Sequence, residues 1–413
     1  MIISILSIIF CIELYIIFLI SKKVEFYNPL IFFLVLPIFY ANSLFLDYLI
    51  FGQDFVQVNA ISVSPLYVSD INYSLIMFFT LLYVIGVFIS FKKRSVSFEE
   101  LKERTKSHTD YFEKHNSFTL LKFFFILICS IYIINESLQL YGLDRYNVRM
   151  VGGPIRTLML MGAFSFLCFT LMFKWKYKLL NFIILTILLF YSIVSFQRET
   201  ILFLSFALIL NLEPKKISLN HILIGILTLV FLTYYKTLVF YFNIYVRNED
   251  MINFIMIPIR FVNIDPASSL LLLSDYLDNN SIYGSYYGSY FINTAAQFLR
   301  MFTDNIDWLS LSEFTQQYYT RGEMGTAFSM ILESFLNFWY LGPFIIGYFI
   351  TYLFYETEKV AGIYYKLHYF IFFIFIVKIV RTELAVVLKL YIFPAFIAYL
   401  IFVSVSNIKF LKK

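Results

Sequence analysis

Two short segments of the chain place an arginine and a glutamate within two positions of each other among residues that could do chemistry. Arg198 is followed directly by Glu199, and Glu323 follows Arg321 after one residue. A guanidinium stays charged at any accessible pH and binds phosphate or carboxylate through two parallel hydrogen bonds. A carboxylate, such as that of Glu333 further along, can take a proton from a hydroxyl group. These residue types are typical of a site that binds an anion and moves a proton.

The elements that must position these residues are membrane helices. Sixty per cent of the residues are apolar, only 14% are charged, and the mean hydropathy is +0.77. Apolar runs of about 20 residues recur, each long enough to cross the hydrocarbon core as a helix. They lack the period-2 alternation of barrel strands. The sequence therefore predicts an all-α, polytopic integral membrane protein in which residues 1–413 form a single membrane domain.

Eleven transmembrane helices are predicted. Their approximate bounds are 2–20, 29–50, 71–91, 118–137, 154–173, 179–196, 200–212, 219–242, 331–355, 367–380 and 385–406. The first is interpreted as a retained span, because it lacks a basic leading region and a small-residue cleavage site.

Lysine and arginine in the short loops set the predicted orientation. The clusters around residues 22–23, 92–114, 174–178, 215–216, 359–366 and 409–413 all fall in loops of one parity, which are predicted to be cytoplasmic. The N-terminus is then outside and the C-terminus is cytoplasmic. Residues 92–117 form a cytoplasmic connector, and residues 243–330 form one large outer loop, in which we expect short interfacial helices.

Arginine does not follow the lysine distribution. Eighteen of the 21 lysines lie inside or at inner helix ends, whereas nine of the eleven arginines lie on or near the outer face. The outer arginines are Arg145, Arg149, Arg156, Arg198, Arg247, Arg260, Arg300, Arg321 and Arg381. Because arginine favours bidentate anion binding, the pattern indicates an anionic ligand at the outer leaflet, such as a lipid-linked pyrophosphate.

The outer loop also carries tyrosines on a glycine-containing backbone, namely Tyr283, Tyr286 and Tyr287. Their rings could form a platform for a sugar. The alternative is an aromatic belt at the membrane interface, where tyrosine is enriched.

The most specific motif joins this loop to the ninth predicted span. In order, it contains Arg321-Gly322-Glu323-Met324-Gly325-Thr326-Ala327, Ser329, Glu333, Leu336-Asn337-Phe338 and Leu341-Gly342-Pro343. It resembles the late outer loop of bacterial oligosaccharide repeat-unit polymerases, the O-antigen polymerases of the Wzy type. Trp339 stands where that family's Asn-Phe-Gly-x-x-Gly stretch has its first glycine. The segments 195–200 and 283–300 are similar to the family in position and character.

The resemblance implies a metal-independent glycosyltransferase without a cofactor. Such an enzyme joins undecaprenyl-pyrophosphate-linked oligosaccharide units on the outer side of the cytoplasmic membrane, making the O-antigen of lipopolysaccharide or a capsule. Its fold would be similar to that of multi-pass lipid-donor glycosyltransferases. The expected partners are membrane lipid, a chain-length regulator and a flippase, with no nucleic acid.

Roles follow for individual residues. Arg198 is the first candidate for binding pyrophosphate, with Arg260, Arg321 and Arg381 as partners and Arg145, Arg149 and Arg156 guiding lipid entry. The candidates for the general base are Glu333, Glu323 and Glu199. Asn337 and the three loop tyrosines are candidates for glycan binding. Structural salt bridges of Glu199 to an arginine, or of Glu333 to Lys378, remain alternatives.

Two other functions stay open. An O-antigen ligase is disfavoured, because that related family is expected to use a histidine in the outer loop. Here His108 and His115 lie in the connector, and His221 and His368 lie at inner helix ends. A lipid-linked oligosaccharide flippase would also need cations, but the chain has no evident internal repeat, and flipping does not require a long outer loop.

Overall fold

The computed structural model describes residues 2–24, 27–51, 74–93, 120–141, 154–172, 178–195, 198–212, 330–361, 364–379 and 384–407. These parts of the chain are almost entirely helical and contain no strand. The helices are α1 (Ile2–Ser21), α2 (Pro29–Phe51), α3 (Ser74–Lys93), α4 (Leu120–Leu140), α5 (Pro154–Leu171), α6 (Lys178–Val194), α7 (Arg198–Leu212), α8 (Met330–Phe338), α9 (Gly342–Ala361), α10 (Tyr365–Ile379), α11 (Leu384–Val387) and α12 (Phe393–Asn407). A 3-10 turn, Trp339–Leu341, separates α8 from α9, and a π-helical turn, Leu388–Ile392, separates α11 from α12.

Helices lie over ten of the eleven predicted segments, and residues 219–242 lie outside the described residues. By length and composition, four described helical stretches could cross a membrane: Ser74–Lys93, Leu120–Leu140, Met330–Ala361 and Leu388–Ser406. Five further apolar helices are shorter. The predicted ninth span is interrupted, because the 3-10 turn divides it into α8 and α9. The connector beyond Lys93 and the predicted loop before Met330 also lie outside the description.

Local sequence explains how these helices begin and how they tolerate polar residues. Asn28 caps α2 by accepting a hydrogen bond from the Leu30 N–H at 2.9 Å, and Pro29 occupies the first helical position. Inside the apolar helices, hydroxyl groups donate to the carbonyl four residues earlier, as Thr80 does to Ile76 and Thr170 to Phe166. This satisfies the hydroxyl within its own helix, as an apolar surrounding requires.

The described helices fall into two compact units. The first contains α1, α2, α3, α8, α9, the end of α10 from Phe375, and α11. The second contains α4, α5, α6, α7, the first part of α10 up to Ile374, and α12.

The first unit is built around two parallel helices. Phe79 in α3 packs against Tyr340 just before α9, and Phe91 packs against Tyr355 near the other end, so α3 and α9 run in the same direction. They approach closely because Gly86 and Gly347 each face a backbone carbonyl of the other helix, with no room for a Cβ atom. Small residues at helix contacts are the usual means of close packing in membrane proteins.

A polar pair lies between α1 and α2 in the same unit. The fully buried Glu13 accepts a hydrogen bond from Asn42 Nδ2 at 3.2 Å, and the same amide donates to the Ile38 carbonyl at 2.8 Å. Glu13 had no evident partner in the sequence, since Asn42 is 29 residues away. Glu13 Oε1 and Asn42 Oδ1 make no hydrogen bond within the described part of the chain.

The second unit packs around α5. The aromatic rings of Phe125 from α4 and Phe402 from α12 lie against Phe166 on α5. Phe206 of α7 stacks on Phe373 of α10, with ring centroids 3.9 Å apart. Asn211 at the end of α7 donates to the Leu171 carbonyl at the end of α5 at 2.6 Å, so these two helices end side by side. Aromatic contacts therefore join several helices of this unit, in a core that also contains many buried aliphatic side chains.

Candidate functional site

Arg156 is the predicted anion-binding residue whose surroundings are best defined. It lies in the first turn of α5, two residues after the Pro154 that starts the helix. Its Nε donates to the Glu136 carboxylate, forming an ion pair, and its Nη2 donates to Gln139 Oε1 at 2.7 Å. The Arg156 side chain is 22% exposed and that of Glu136 only 7% exposed. The pair is therefore half-buried, with the guanidinium the more accessible partner.

The helices α4 and α5 bring this group together at one end. Glu136 and Gln139 are three residues apart in the last turns of α4, so they share one face of that helix. Phe125 meets Phe166 further along, which means that α4 and α5 run antiparallel. The end of α4 is thus next to the start of α5, where Arg156 projects. We call Glu136, Gln139 and Arg156 the arginine cluster.

Two tyrosines extend the arginine cluster. Tyr132, one turn before Glu136, and Tyr191 of α6 both lie close enough to interact electrostatically with Glu136 and Arg156. Tyr191 is buried and also bonds to Ser195. Hydroxyl groups around a half-buried ion pair can hydrogen-bond to an additional oxygen-rich ligand.

The start of α5 suits an anion for two reasons. The first N–H groups of a helix carry a partial positive charge, and Arg156 adds a full charge in the same turn. Glu136 neutralises this charge in the structure. A phosphate at this position would compete with Glu136 for the guanidinium, and the arginine cluster can therefore exchange one anionic partner for another.

Arg198 and Glu199 begin α7 in the same unit. Arg198 is the first residue of the helix, and its side chain lies outside the described set. Glu199 is buried in the first turn, where a carboxylate is stabilised by the helix dipole. Its predicted salt bridge and its predicted role as a base both remain predictions.

In the first unit, Glu333 ties two helices together. It is buried in the first turn of α8, and its Oε2 accepts a hydrogen bond from the backbone N–H of Leu384 at 3.0 Å. Leu384 is the first residue of α11, so the carboxylate satisfies an N–H group that has no partner within its own helix. Asn337, one turn after Glu333, is also buried and donates from Nδ2 to the Glu333 carbonyl at 2.8 Å.

The turn after Asn337 has unusual backbone geometry. Trp339 has a φ of 59° and is the one non-glycine residue with positive φ in the described chain. A left-handed conformation costs a residue with a side chain about 1 to 2 kcal/mol. Gly342 follows three residues later, and a Cβ atom there would collide with the Ser334 carbonyl. A glycine at this position would have no such conformational cost.

Exposed rings surround this turn. Trp339 stacks on Phe335 with centroids 5.4 Å apart and planes 13° apart, and Tyr340 stands perpendicular to Trp339 at 5.8 Å. Phe335 in turn packs on Phe79 at 5.0 Å. We call Trp339 and Tyr340 the aromatic corner.

Several predicted site residues lie outside the described part of the chain. They are Arg145, Arg149, Arg260, Arg321, Arg381, Glu323, Tyr283, Tyr286 and Tyr287. Of the predicted set, the structure defines the surroundings of Arg156, Glu333 and Asn337, and gives the placement of Glu199.

Sequence reasoning missed three features of these regions. No motif singles out Glu136 or Gln139, although their spacing places them on one face of α4. The cap that Glu333 provides for α11 joins residues 51 positions apart and leaves no local pattern. The departure at Trp339 was noticed, but its backbone conformation was not predicted.

No protein-family model, curated protein sequence or solved structure matches this chain. Within the described ranges, no group of three or more histidine, cysteine, aspartate or glutamate side chains could hold a metal ion.

Proposed function

We propose that this protein is a polymerase that joins polyprenyl-pyrophosphate-linked oligosaccharide units at the outer side of the cytoplasmic membrane. The observation that carries the proposal is the arginine cluster. A half-buried guanidinium at the start of a membrane helix, paired with the Glu136 carboxylate, suits the reversible binding of a lipid pyrophosphate. The order of motifs along the chain, which resembles the repeat-unit polymerases, supports the same function.

The reaction breaks the bond between the anomeric carbon of the donor glycan and its pyrophosphate oxygen. A new bond forms between that carbon and a hydroxyl oxygen at the non-reducing end of the acceptor unit. The hydroxyl proton passes to a base, and the lipid pyrophosphate leaves with the bonding electron pair. Cations stabilise the charge that develops on the leaving oxygen, by several kcal/mol where water is excluded.

Arg156 is assigned to the pyrophosphate together with Arg198, Arg260, Arg321 and Arg381, while Arg145 and Arg149 guide lipid entry. Glu333 is the first candidate for the base, with Glu323 and Glu199 as the others. A carboxylate can take the proton of a hydroxyl group, and that of Glu333 is buried beside the start of α11. These role assignments are parts of the proposal.

The test is the length of surface glycan in cells from which the gene has been deleted. The deletion is complemented with the wild type, Arg198→Ala or Arg156→Gln at matched membrane abundance. Lys359→Gln is the matched control, because Lys359 forms an ion pair with Glu356 at 3.2 Å on an exposed helix surface. We expect single units in the deletion, a full ladder of polymer lengths with the wild type and the control, and a lost or shortened ladder with the arginine variants.

Other outcomes would identify other functions. If single units never reach the outer surface in the deletion, the protein is a flippase. If polymer forms but stays on the lipid carrier, the protein is a ligase. A ladder that is unchanged by the deletion contradicts the proposed function altogether.

A further inference from the structure

In the aromatic corner, the exposed indole ring of Trp339 stacks on a buried aromatic residue. One face of the Trp339 indole lies on Phe335, which is buried and itself packs on Phe79. Trp339 nevertheless remains 39% exposed, and Tyr340, at 90° to it, is 44% exposed. The two exposed rings therefore meet at a right angle, and Phe335 and Phe79 pack behind the Trp339 ring.

Folding alone does not account for tryptophan at this position. With a φ of 59°, the backbone favours glycine, and among other residues it favours asparagine or aspartate. Non-glycine residues in this region persist where the surrounding structure compensates, and they cluster at functional sites. Here the compensation comes from stacking on Phe335, which also fixes the direction of the indole ring.

Polar groups at the corner are available to a ligand. Trp339 and Tyr340 are both exposed, so the indole Nε1–H and the tyrosine hydroxyl can be reached by a ligand. Aromatic residues with a polar handle normally use it when they are buried, so exposed handles beside a fixed ring face are free to bind. A sugar ring matches this arrangement, since its C–H face can stack on the indole while its hydroxyls reach the two polar groups.

We propose that Trp339 and Tyr340 bind a sugar ring of the lipid-linked saccharide and position it for transfer. This inference rests on the proposed function, because it takes the saccharide of that reaction as the ligand. It adds substrate-positioning residues to the loop tyrosines predicted from the sequence. The location fits, because α9 is 20 residues and about 30 Å long, the thickness of the hydrocarbon core, and the corner lies at its N-terminal end.

The test uses Trp339→Gly, which removes the ring and relieves the backbone, and Trp339→Tyr, which keeps a ring. Leu341→Ala is the matched control, because Leu341 belongs to the same turn and is 63% exposed without being aromatic. Each purified variant is titrated with two probes. One is the lipid-linked saccharide extracted from deletion cells, and the other is undecaprenyl pyrophosphate without sugar.

We expect Trp339→Gly to bind the saccharide-bearing lipid about tenfold more weakly, as the loss of one good stacking contact predicts. Its affinity for the sugar-free lipid and its thermal stability should not fall. Trp339→Tyr and Leu341→Ala should bind both probes within about twofold of the wild type, a difference too small for a lost stacking contact.

Two results would overturn this inference. In the first, Trp339→Gly keeps the full preference for the saccharide-bearing lipid. In the second, Trp339→Gly and Leu341→Ala weaken both probes equally, which would make the corner part of an interfacial aromatic belt.

The failure of this inference can be told apart from the failure of the proposed function. If the deletion abolishes the ladder and Trp339→Gly restores it fully, only the role of the corner is wrong. If the deletion leaves the ladder intact, the polymerase function is wrong, and the role of the corner is wrong with it.

Discussion

Each of the two units contains a buried glutamate at a helix end, but the two carboxylates have different kinds of partner. Glu333 in the first unit accepts a hydrogen bond from a backbone N–H, whereas Glu136 in the second unit pairs with the charged Arg156. The backbone donor requires an acceptor in the right place, and the guanidinium requires a negative charge. The region of α8 and the turn that follows it therefore depends mainly on shape, that is, on where the backbone atoms lie. The arginine cluster depends mainly on charge.

The largest expected effect tests the role of shape at the α8–α9 turn. In Gly342→Ala, the new Cβ would meet the Ser334 carbonyl and the backbone next to it, and a backbone cannot move aside as a flexible side chain can. We expect a loss of about 4 kcal/mol or more in the free energy of unfolding, seen as low membrane abundance and aggregation on size-exclusion chromatography.

Gly162→Ala provides the matched control for this variant. Gly162 is also in a helix, but a Cβ atom there would lie 3.7 Å from the Pro394 carbonyl oxygen, an ordinary contact distance. We expect this protein to behave like the wild type. A well-folded Gly342→Ala protein would show that the turn can rearrange. The region of α8 and this turn would then not depend mainly on shape.

The same turn indicates how far sequence predicts the fold. Helices occur over ten predicted segments because the length of an apolar run and its polar ends are local properties of the chain. The break at Trp339 is different. Tryptophan rarely adopts positive φ, and the conformation is held by Phe335 and Gly342, so it depends on tertiary packing rather than on local preference.

The next effect tests the role of charge in the arginine cluster. Arg156→Gln leaves the Glu136 carboxylate, whose side chain is nearly buried, without its cation. Removing one partner of a fully buried pair costs about 3 to 5 kcal/mol, and because Arg156 is partly exposed, we expect about 2 to 3 kcal/mol. The measurement is the midpoint of thermal unfolding in detergent micelles.

A double-mutant cycle separates the lost pairing from the loss of the side chain itself. In Arg156→Gln/Glu136→Gln no charge is left unpaired, so we expect most of the stability to return. The exposed pair in Lys359→Gln should change stability by less than about 1 kcal/mol. If the single and double variants are equally unstable, packing of the arginine stem matters more than charge. If the double variant is stable but makes no polymer, the guanidinium is needed for the reaction and not for the fold.

Residues of the candidate site can be predicted from the sequence where their type or a motif points to a chemical role. The choice of Arg156 came from the distribution of arginine along the chain, and Glu333 with Asn337 came from a motif. Their partners came from tertiary contacts, since Glu136 lies 20 residues from Arg156 and Leu384 lies 51 residues from Glu333. A single sequence does not reveal contacts at that separation.

The smallest effect on stability comes from Glu333, and it separates its structural role from its proposed chemical one. In Glu333→Ala the Leu384 N–H loses its acceptor, and a lost helix cap costs about 1 kcal/mol. In Glu333→Gln the amide oxygen can still accept that hydrogen bond, so we expect the unfolding midpoint of the wild type. An amide cannot take the proton of the acceptor hydroxyl, however, and the loss of a general base slows a reaction by about 10² to 10⁴-fold. The measurement is the rate at which membranes convert the lipid-linked saccharide to polymer. Full activity in a stable Glu333→Gln protein would leave Glu333 with the helix cap as its only role and transfer the proposed base to Glu199 or Glu323.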